Sequence, residues 1–331
     1  KLYFDAGIPQ ISGSATNPKY TQQGFKTAFR VMANDVQQGK ALGEFAAKQG
    51  IKTVAIVDDR TAYGQGLADE FRKAAETAGI KIVATEFTND KATDFKAILT
   101  KIRSTKADLV FYGGMDAQGG PLVKQMKDLG LKAKFLGGDG VCTPEFMKLG
   151  GPASEGNYCS LPGMPLEKLA QGPAFRDAYG KKFNAEIQLY APYVYDAVMV
   201  MAEAMKRANS VEPAKYLPEV GKTHFEGVTA KIEFDDKGDL KSGAISMYQY
   251  KAGKLEYVDT LGGSPMEAAK AEVKEAVAEV KEAAKAVGEA AKEGVKAGAE
   301  AAKEMAKEGV KAGADAVKAG ADAAKAAVDK K

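Results

Sequence analysis

The residues best suited to chemistry lie in four short segments rich in small, hydroxylic and acidic side chains: GSATNP (13–18), DDRTAYG (58–64), GGMDAQGG (113–120) and GGDG (137–140). Small residues let the backbone approach a ligand closely, while hydroxyls, carboxylates and a phenol offer directed hydrogen bonds. Such a set suits recognition of a small molecule better than bond breaking. A Ser-His-Asp arrangement would have to draw on the single histidine, His224, which sits in KTHFEG and reads as an ordinary surface or hydrogen-bonded residue at a turn or strand start. One histidine also excludes a histidine-rich metal site. The pairs Gly113-Gly114 and Gly137-Gly138 follow apolar runs, yet neither completes a GxGxxG or GxxxxGKS/T pattern, so nucleotide binding lacks a motif. No catalytic residue, metal or cofactor is expected.

Taken singly, each polar residue has a plainer reading. Thr16 can stabilise the Asn17-Pro18 turn, Asp139 can be a solvated turn acid, and Tyr63 can cap a surface. Asp58 and Asp59 read as turn or helix-cap groups, and Met115 as a filler of a pocket or core. Tyr190, Tyr193 and Tyr195 crowd around Pro192, which fits either helix packing or an aromatic pocket wall.

These segments need elements to position them, and the hydrophobic pattern supplies alternating strands and helices. The apolar run KTVAIVDD (52–59) leads into the helical periodicity of 63–80. Then follow KIVATEF (81–87), a helix in 94–104, ADLVFYGG (107–114), a helix around 120–130, and AKFLGGDG (133–140). Nearly continuous apolar strands indicate a parallel sheet with helices on both faces. Earlier, the chain is expected to open as a loop leading to two strands, IPQIS (8–12) and TAFRV (27–31). After Pro165 come helical patterns over about 171–184 and 191–208, then strand alternation in 228–239 and 244–259 broken by the turns DDKGD and KAGK. The four polar segments thus fall at the carboxyl ends of strands, where open α/β sheets place ligands.

Charge and composition divide the chain of 331 residues, whose net charge is +3. That balance is too small and too dispersed for a dedicated nucleic-acid binder, so nucleic acid is not an expected partner. No stretch approaches the roughly 20 apolar residues needed to span a bilayer, and direct membrane insertion is not expected. The chain starts at Lys1 without an initiator Met or a secretory leader, so its true beginning is expected elsewhere. At Gly262-Gly263-Ser264-Pro265 the composition shifts: residues 264–331 hold 13 lysines and 13 acidic residues but no aromatic, cysteine or arginine. Pairs such as Glu300–Lys303 and Lys296–Glu300 lay opposite charges along one helical face. The near-repeat of 292–306 in 307–321 and the thin valine stripe at 280, 287, 310 and 317 suit a helical spacer, a helical hairpin or a coiled-coil element. Interior glycines, each costing about 1 kcal/mol relative to alanine, make this helix marginal.

At the same loops the sequence strongly resembles the branched-chain amino-acid binding proteins of bacterial ABC importers. The stretches that carry the likeness are 8–31 (IPQISGSATNPKYTQQGFKTAFRV), 58–71, 94–114, FLGGDGV (135–141), APYVYDAV (191–198) and IEFDDKGD (232–239). The resemblance covers about 1–263 and implies an α/β, two-lobed type I periplasmic binding protein fold that closes on a free amino acid such as leucine, isoleucine or valine. It implies a periplasmic location, docking on an integral-membrane permease, and no enzymatic activity. Carried over residue by residue, the main chain of Ser14 and the main chain and hydroxyl of Thr16 meet the ligand's charged α-carbon groups. Asp139 pairs with the α-ammonium, and Tyr63 and Tyr193 line the apolar end. A zwitterion drawn out of water needs such donor and acceptor sets.

The resemblance also has departures. Met115 stands where some relatives carry a tyrosine that donates to the ligand carboxylate. The family's first strands of lobe 1 and a serine-rich loop have no counterpart here, so lobe 1 (1–33 and 163–244) is expected to be incomplete, lobe 2 (34–162 and 245–263) more complete, and 264–331 an α-helical tail outside the family pattern. In a chain resembling a periplasmic protein, Cys142 and Cys159, 17 positions apart, suit a disulfide, with two buried thiols as the alternative. The competing functions are a sensor of an amide or other small amphipathic ligand on the same scaffold, and a structural fusion that binds nothing.

Overall fold

The computed structural model describes residues 1–263 together with residues 300, 303, 304, 307, 308, 311, 313 and 318. The chain divides into two compact units, Lys1–Ala268 and Ala269–Lys331. In the first, a helical turn, α1 (Leu2–Asp5), replaces the expected opening loop. A short parallel pair follows, β1 (Gln10–Ser12) and β2 (Ala28–Arg30). Helix α2 (Asp35–Lys48) begins with a capping box in which the Asn34 side chain accepts from the Val36 and Gln37 amides while Gln37 returns a bond to the Asn34 amide.

The strand-helix alternation then runs β3 (Thr53–Asp58), α3 (Ala62–Thr77), β4 (Lys81–Phe87), α4 (Lys96–Thr105), β5 (Leu109–Gly113), α5 (Asp116–Asp128), β6 (Lys134–Gly137), α6 (Pro144–Gly150) and β7 (Tyr158–Pro162). After it come α7 (Gly172–Phe183), α8 (Ala191–Ala208), α9 (Pro213–Gly221), the two-residue pair β8 (Phe225–Glu226) and β9 (Lys231–Ile232), and the hairpin β10 (Ala244–Lys251) and β11 (Lys254–Gly262). Seven strands make one sheet in the order β11-β10-β7-β6-β5-β3-β4. Strands β4, β3, β5, β6 and β7 are mutually parallel, and the β10-β11 hairpin closes one side in antiparallel fashion.

Alternation within the buried strands sorts side chains to two faces. Val54, Ile56, Leu109 and Phe111 pack against α2 and α3, where Phe71 stacks on Phe111 at 3.8 Å between ring centroids. Ala55, Val57, Val110 and Tyr112 face the opposite layer, with Leu99, Ile102, Leu122, Val123 and Phe146 from α4, α5 and α6. A third core joins β2 to α8 and α9 through Phe29, Val31, Tyr193, Val200, Tyr216 and Val220.

The structure corrects two further expectations. The alternation in 228–234 yields only β9 and one isolated bridge between Phe234 and Leu240, because Asp196 takes the Val228 and Thr229 amides into side-chain hydrogen bonds at 2.8 Å each. The expected loop 113–120 is largely helical, since α5 starts at Asp116 and carries Gly119 and Gly120 inside it. A Cβ at Gly120 would lie 2.5 Å from the Leu149 Cβ, so close α5-α6 packing, not chain freedom, explains that glycine. The expected tail helix falls mostly outside the described residues; the eight that are described are helical and exposed, with Lys307 3.5 Å from Glu304.

Candidate ligand-binding cleft

In the large sheet, β3 lies between β4 and β5, so the chain proceeds outward from it in both directions. A crevice opens at the carboxyl ends of strands beside such a reversal. The turn after β3 is self-bracing: Asp58 accepts from the Arg60 amide at 2.9 Å, and Asp59 accepts from the amide and hydroxyl of Thr61 at 2.9 and 2.6 Å. The Thr61 hydroxyl in turn accepts from the Gly64 amide and caps α3. Asp58 and Asp59 are therefore turn groups, and their work is to launch Tyr63 at the second position of α3.

Tyr63 reaches the turn after β6. Its hydroxyl donates to Asp139 Oδ1 at 2.9 Å and accepts from the Gly140 amide at 3.0 Å. The second carboxylate oxygen, Oδ2, accepts from the hydroxyl of Tyr190, the residue that precedes α8, at 2.8 Å. Asp139 is only 1 % exposed, so it is not a solvated turn acid. Burial pushes its carboxyl above the usual range, opposed by the two phenols, and burial with the nearby carboxylate also raises both tyrosines. A Cβ at Gly140 would lie 2.6 Å from the Gly114 carbonyl and 2.8 Å from Met115 Sδ, so the turn can seat here only without a side chain.

Beside Asp139 lies an open cleft of about 560 Å³ lined by Met115, Asp116, Asp139, Gly140, Thr143, Gln188, Leu189, Tyr190, Ala191 and Val194. Two of these are carboxylic acids and none is cationic. Asp116, at the start of α5, accepts from the Thr143 hydroxyl at 2.7 Å. A group with a cationic nitrogen at one end and apolar substance at the other meets its complement here, between Asp139 and the Met115, Leu189 and Val194 side chains.

Of the residues singled out from sequence, Asp139 and Met115 line this cleft, Met115 being 44 % exposed, and Tyr63 stands behind it, joined to the site through Asp139. Ser14 is exposed, and its amide is turned toward the Ser12 hydroxyl at 3.3 Å. Thr16 is buried; its carbonyl accepts from the Asp35 amide at 2.9 Å, and its hydroxyl, set against the Asp35 carboxyl, makes no hydrogen bond of good geometry among the described residues. Tyr193 does not line this cleft: its ring belongs to the α8 core, and its hydroxyl donates to the Pro162 carbonyl. The tyrosine cluster is thus divided, with Tyr190 at the cleft, Tyr193 inside, and Tyr195 5.0 Å from the Phe175 ring of α7. Sequence reasoning passed over Asp116, inside a segment read as a loop, and Asp35, which looks like an ordinary acid in the first turn of a helix. His224 is exposed beside the Lys222 carbonyl. Among the described residues, no three His, Cys, Asp or Glu side chains come together as metal ligands, and no helix is long and apolar enough to cross a membrane.

Two devices hold these loops. Cys142 and Cys159 form a disulfide that ties the Asp139 turn to β7. Arg30, fully buried on β2, donates to the Ala15 and Asn17 carbonyls at 2.9 Å each and to Asp239 Oδ1 at 2.9 and 2.6 Å. Asp239 also accepts from the Asn34 side chain at 3.2 Å. One ion pair therefore fixes the 13–18 loop and the start of α2 together.

Residues 2–254 match the family described as periplasmic binding protein, and the chain belongs to that family. Its fold is the mixed α/β fold of type I periplasmic binding proteins, which bind solutes in the periplasm without transforming them; the chain is not an enzyme. It is 34 % identical over 250 residues to the leucine-, isoleucine-, valine-, threonine- and alanine-binding protein of Pseudomonas aeruginosa, a match covering 75 % of this chain and 67 % of that one. Two solved structures are similar. A leucine-binding protein of Thermotoga maritima aligns with TM-score 0.73 and 28 % identity over 80 % of this chain and 76 % of that one. A branched-chain amino acid transporter substrate-binding protein of Streptococcus pneumoniae, in complex with isoleucine, aligns with TM-score 0.71 and 30 % identity over 78 % and 74 %.

Proposed function

We infer that this chain is the solute-binding component of an ABC importer and captures a branched-chain or related small apolar amino acid between two lobes, delivering it to an integral-membrane permease. The observation that carries the reading is Asp139: a buried carboxylate held by two phenols and no cation, at the edge of a cleft whose other wall is apolar. The ligand ammonium pairs with Asp139, and its side chain rests on Met115, Leu189 and Val194. Thr16 and the main chain of the 13–18 loop meet the remaining α-carbon groups, and Tyr193 contributes by holding α8 in place. The lobes correspond to 1–33 with 163–244 and 34–162 with 245–263. The named ligands of the similar proteins support the same class.

A second reading has its own observation. Asp116, Thr143 and Gln188 form a polar end to the cleft, which suits an amide or another small amphipathic ligand bearing a side-chain donor. Calorimetric titration with leucine, isoleucine, valine, phenylalanine and short amides separates the two. Binding of the aliphatic amino acids supports the first reading, preference for amides the second, and no heat with any of them makes the body a structural fusion.

A further inference from the structure

Behind Asp139 lies a group of buried polar side chains, Thr16, Asp35 and Gln38, in which Thr16 sits against Asp35 and Gln38 against Asp139 without a hydrogen bond of good geometry among the described residues. Nine buried side-chain polar atoms lack a hydrogen bond among the described residues, and five of them belong to Thr16, Asp35 and Gln38. Such atoms are expensive to bury and rarely collect in one place without a ligand or solvent to complete them. Asp35 and Gln38 are adjacent on one face of α2, both 0 % exposed. The Thr16 hydroxyl lies beside Asp35, and Asp139 faces it from the turn after β6.

The surroundings of Asp35 are short of positive charge. Asp139 faces it from that turn, Glu70 and Tyr63 from α3, and Tyr190 from the residue before α8. The cation that acts on it is Arg30 on β2, whose guanidinium is committed to Asp239 and to the Ala15 and Asn17 carbonyls. Two buried carboxyl groups near each other with no free cation do not both ionise readily.

Building on the amino-acid reading above, we propose that Asp35 is a second carboxyl group of the ammonium subsite and that it releases its proton to solvent when a cationic nitrogen settles against Asp139. Before binding, on the acid side of neutrality, Asp35 carries the proton. The incoming ammonium supplies the missing positive charge, Asp35 becomes a carboxylate, and the proton passes to the buffer while no bond in the ligand changes. In support, burial and the neighbouring Asp139 carboxylate push the Asp35 carboxyl up to about 7 in the unliganded protein. Asp35 acts through the field at Asp139 and through Thr16, so it is a positioning residue whose signature is protonic.

The test is calorimetry of L-leucine with the full chain near pH 7 in two buffers of different ionisation enthalpy, repeated with Asp35→Asn. The wild type should release about half a proton per leucine, and its affinity should fall up to about tenfold per pH unit on the acid side of neutrality. The Asn variant should bind leucine with little proton release and a flat acid limb. Leucine binding with identical heats in both buffers overturns the inference and leaves the amino-acid reading intact. Undiminished proton release from the Asn variant also overturns it, by assigning the proton to Asp139. The wild-type measurement decides the matter even if the variant does not fold. Absence of leucine binding to the wild type removes the reading and the inference together.

Discussion

Asp139 accepts one hydrogen bond on each carboxylate oxygen from the phenols Tyr63 and Tyr190, an arrangement that fixes the group's direction without neutralising its charge. Hydrogen bonds to charged groups contribute about 1.5–3 kcal/mol. Asp139→Asn, which keeps the shape and removes the charge, should therefore weaken leucine binding by about 10- to 100-fold in a calorimetric titration; unchanged affinity would remove Asp139 from the site. Asp35 makes a second prediction, on stability. Its carboxyl is raised to about 7 in the folded protein, against about 3.9 in an unfolded chain. Between those values the folded state holds a proton that the unfolded state lacks, so this group's contribution is full below about pH 4 and is lost as pH rises through 7. Urea titrations across that window should show wild type losing stability relative to Asp35→Asn, and a constant difference would contradict the raised carboxyl. The place of Asp139 at the carboxyl end of a strand was legible because GGDG follows an apolar run, while its pairing with an ammonium rested on the family resemblance alone. Asp35 was not, because an acid after an asparagine cap is what any helix favours near its positive end, and only burial separates this one from the rest.

At the scale of elements, legibility followed periodicity. The apolar runs at 52–59 and 107–114 declared β3 and β5 because strands covered on both faces have little choice of side chain. The start of α5 was hidden because Gly119 and Gly120 resemble loop residues by type, while their reason is contact with Phe146 and Leu149 of α6. The strand expected at 228–234 was lost because Asp196, distant in sequence, binds its amides, and no local pattern announces a partner 32 positions away. The Cys142–Cys159 disulfide is the element-scale link with a measurable consequence, since Cys142 directly follows the turn that presents Asp139 and the bond anchors the end of that turn to β7. Closing a loop of about 15 residues contributes roughly 3 kcal/mol in the chain-entropy model. Denaturation in urea with and without reductant should show a loss of that order, with the Asp139 turn weakened and leucine affinity reduced. An unchanged midpoint after verified reduction would mean that packing of Val141 and Phe146 alone holds the turn.

Across the whole molecule, the two layers differ in how completely their backbones are enclosed. β3 pairs with β4 and β5, β5 pairs with β3 and β6, and both are covered on two faces by apolar clusters. Among the described residues β1, by contrast, pairs with β2 alone through three residue pairs, and β9 with β8 through two. Beside β1, the outer face of α8 leaves Val194 50 % and Val198 62 % exposed, around an apolar groove of about 340 Å³ that also includes Ile11 and Met201. Opening a segment costs free energy in proportion to the hydrogen bonds and apolar contacts it gives up, so these layers should open independently and at different cost. Each Å² of apolar surface kept from water contributes about 25 cal/mol, and the exposed α8 face forgoes that contribution. Hydrogen exchange on one sample of the full chain should therefore show slow amides in 52–57 and 108–112 and fast ones in 8–12 and 228–234. If both groups exchange equally slowly and do so at every protein concentration, the smaller layer is as firmly closed as the large sheet and the argument from enclosure fails. If protection of 8–12 instead rises with concentration, a second copy covers the α8 groove, and the uneven stability belongs to the monomer alone.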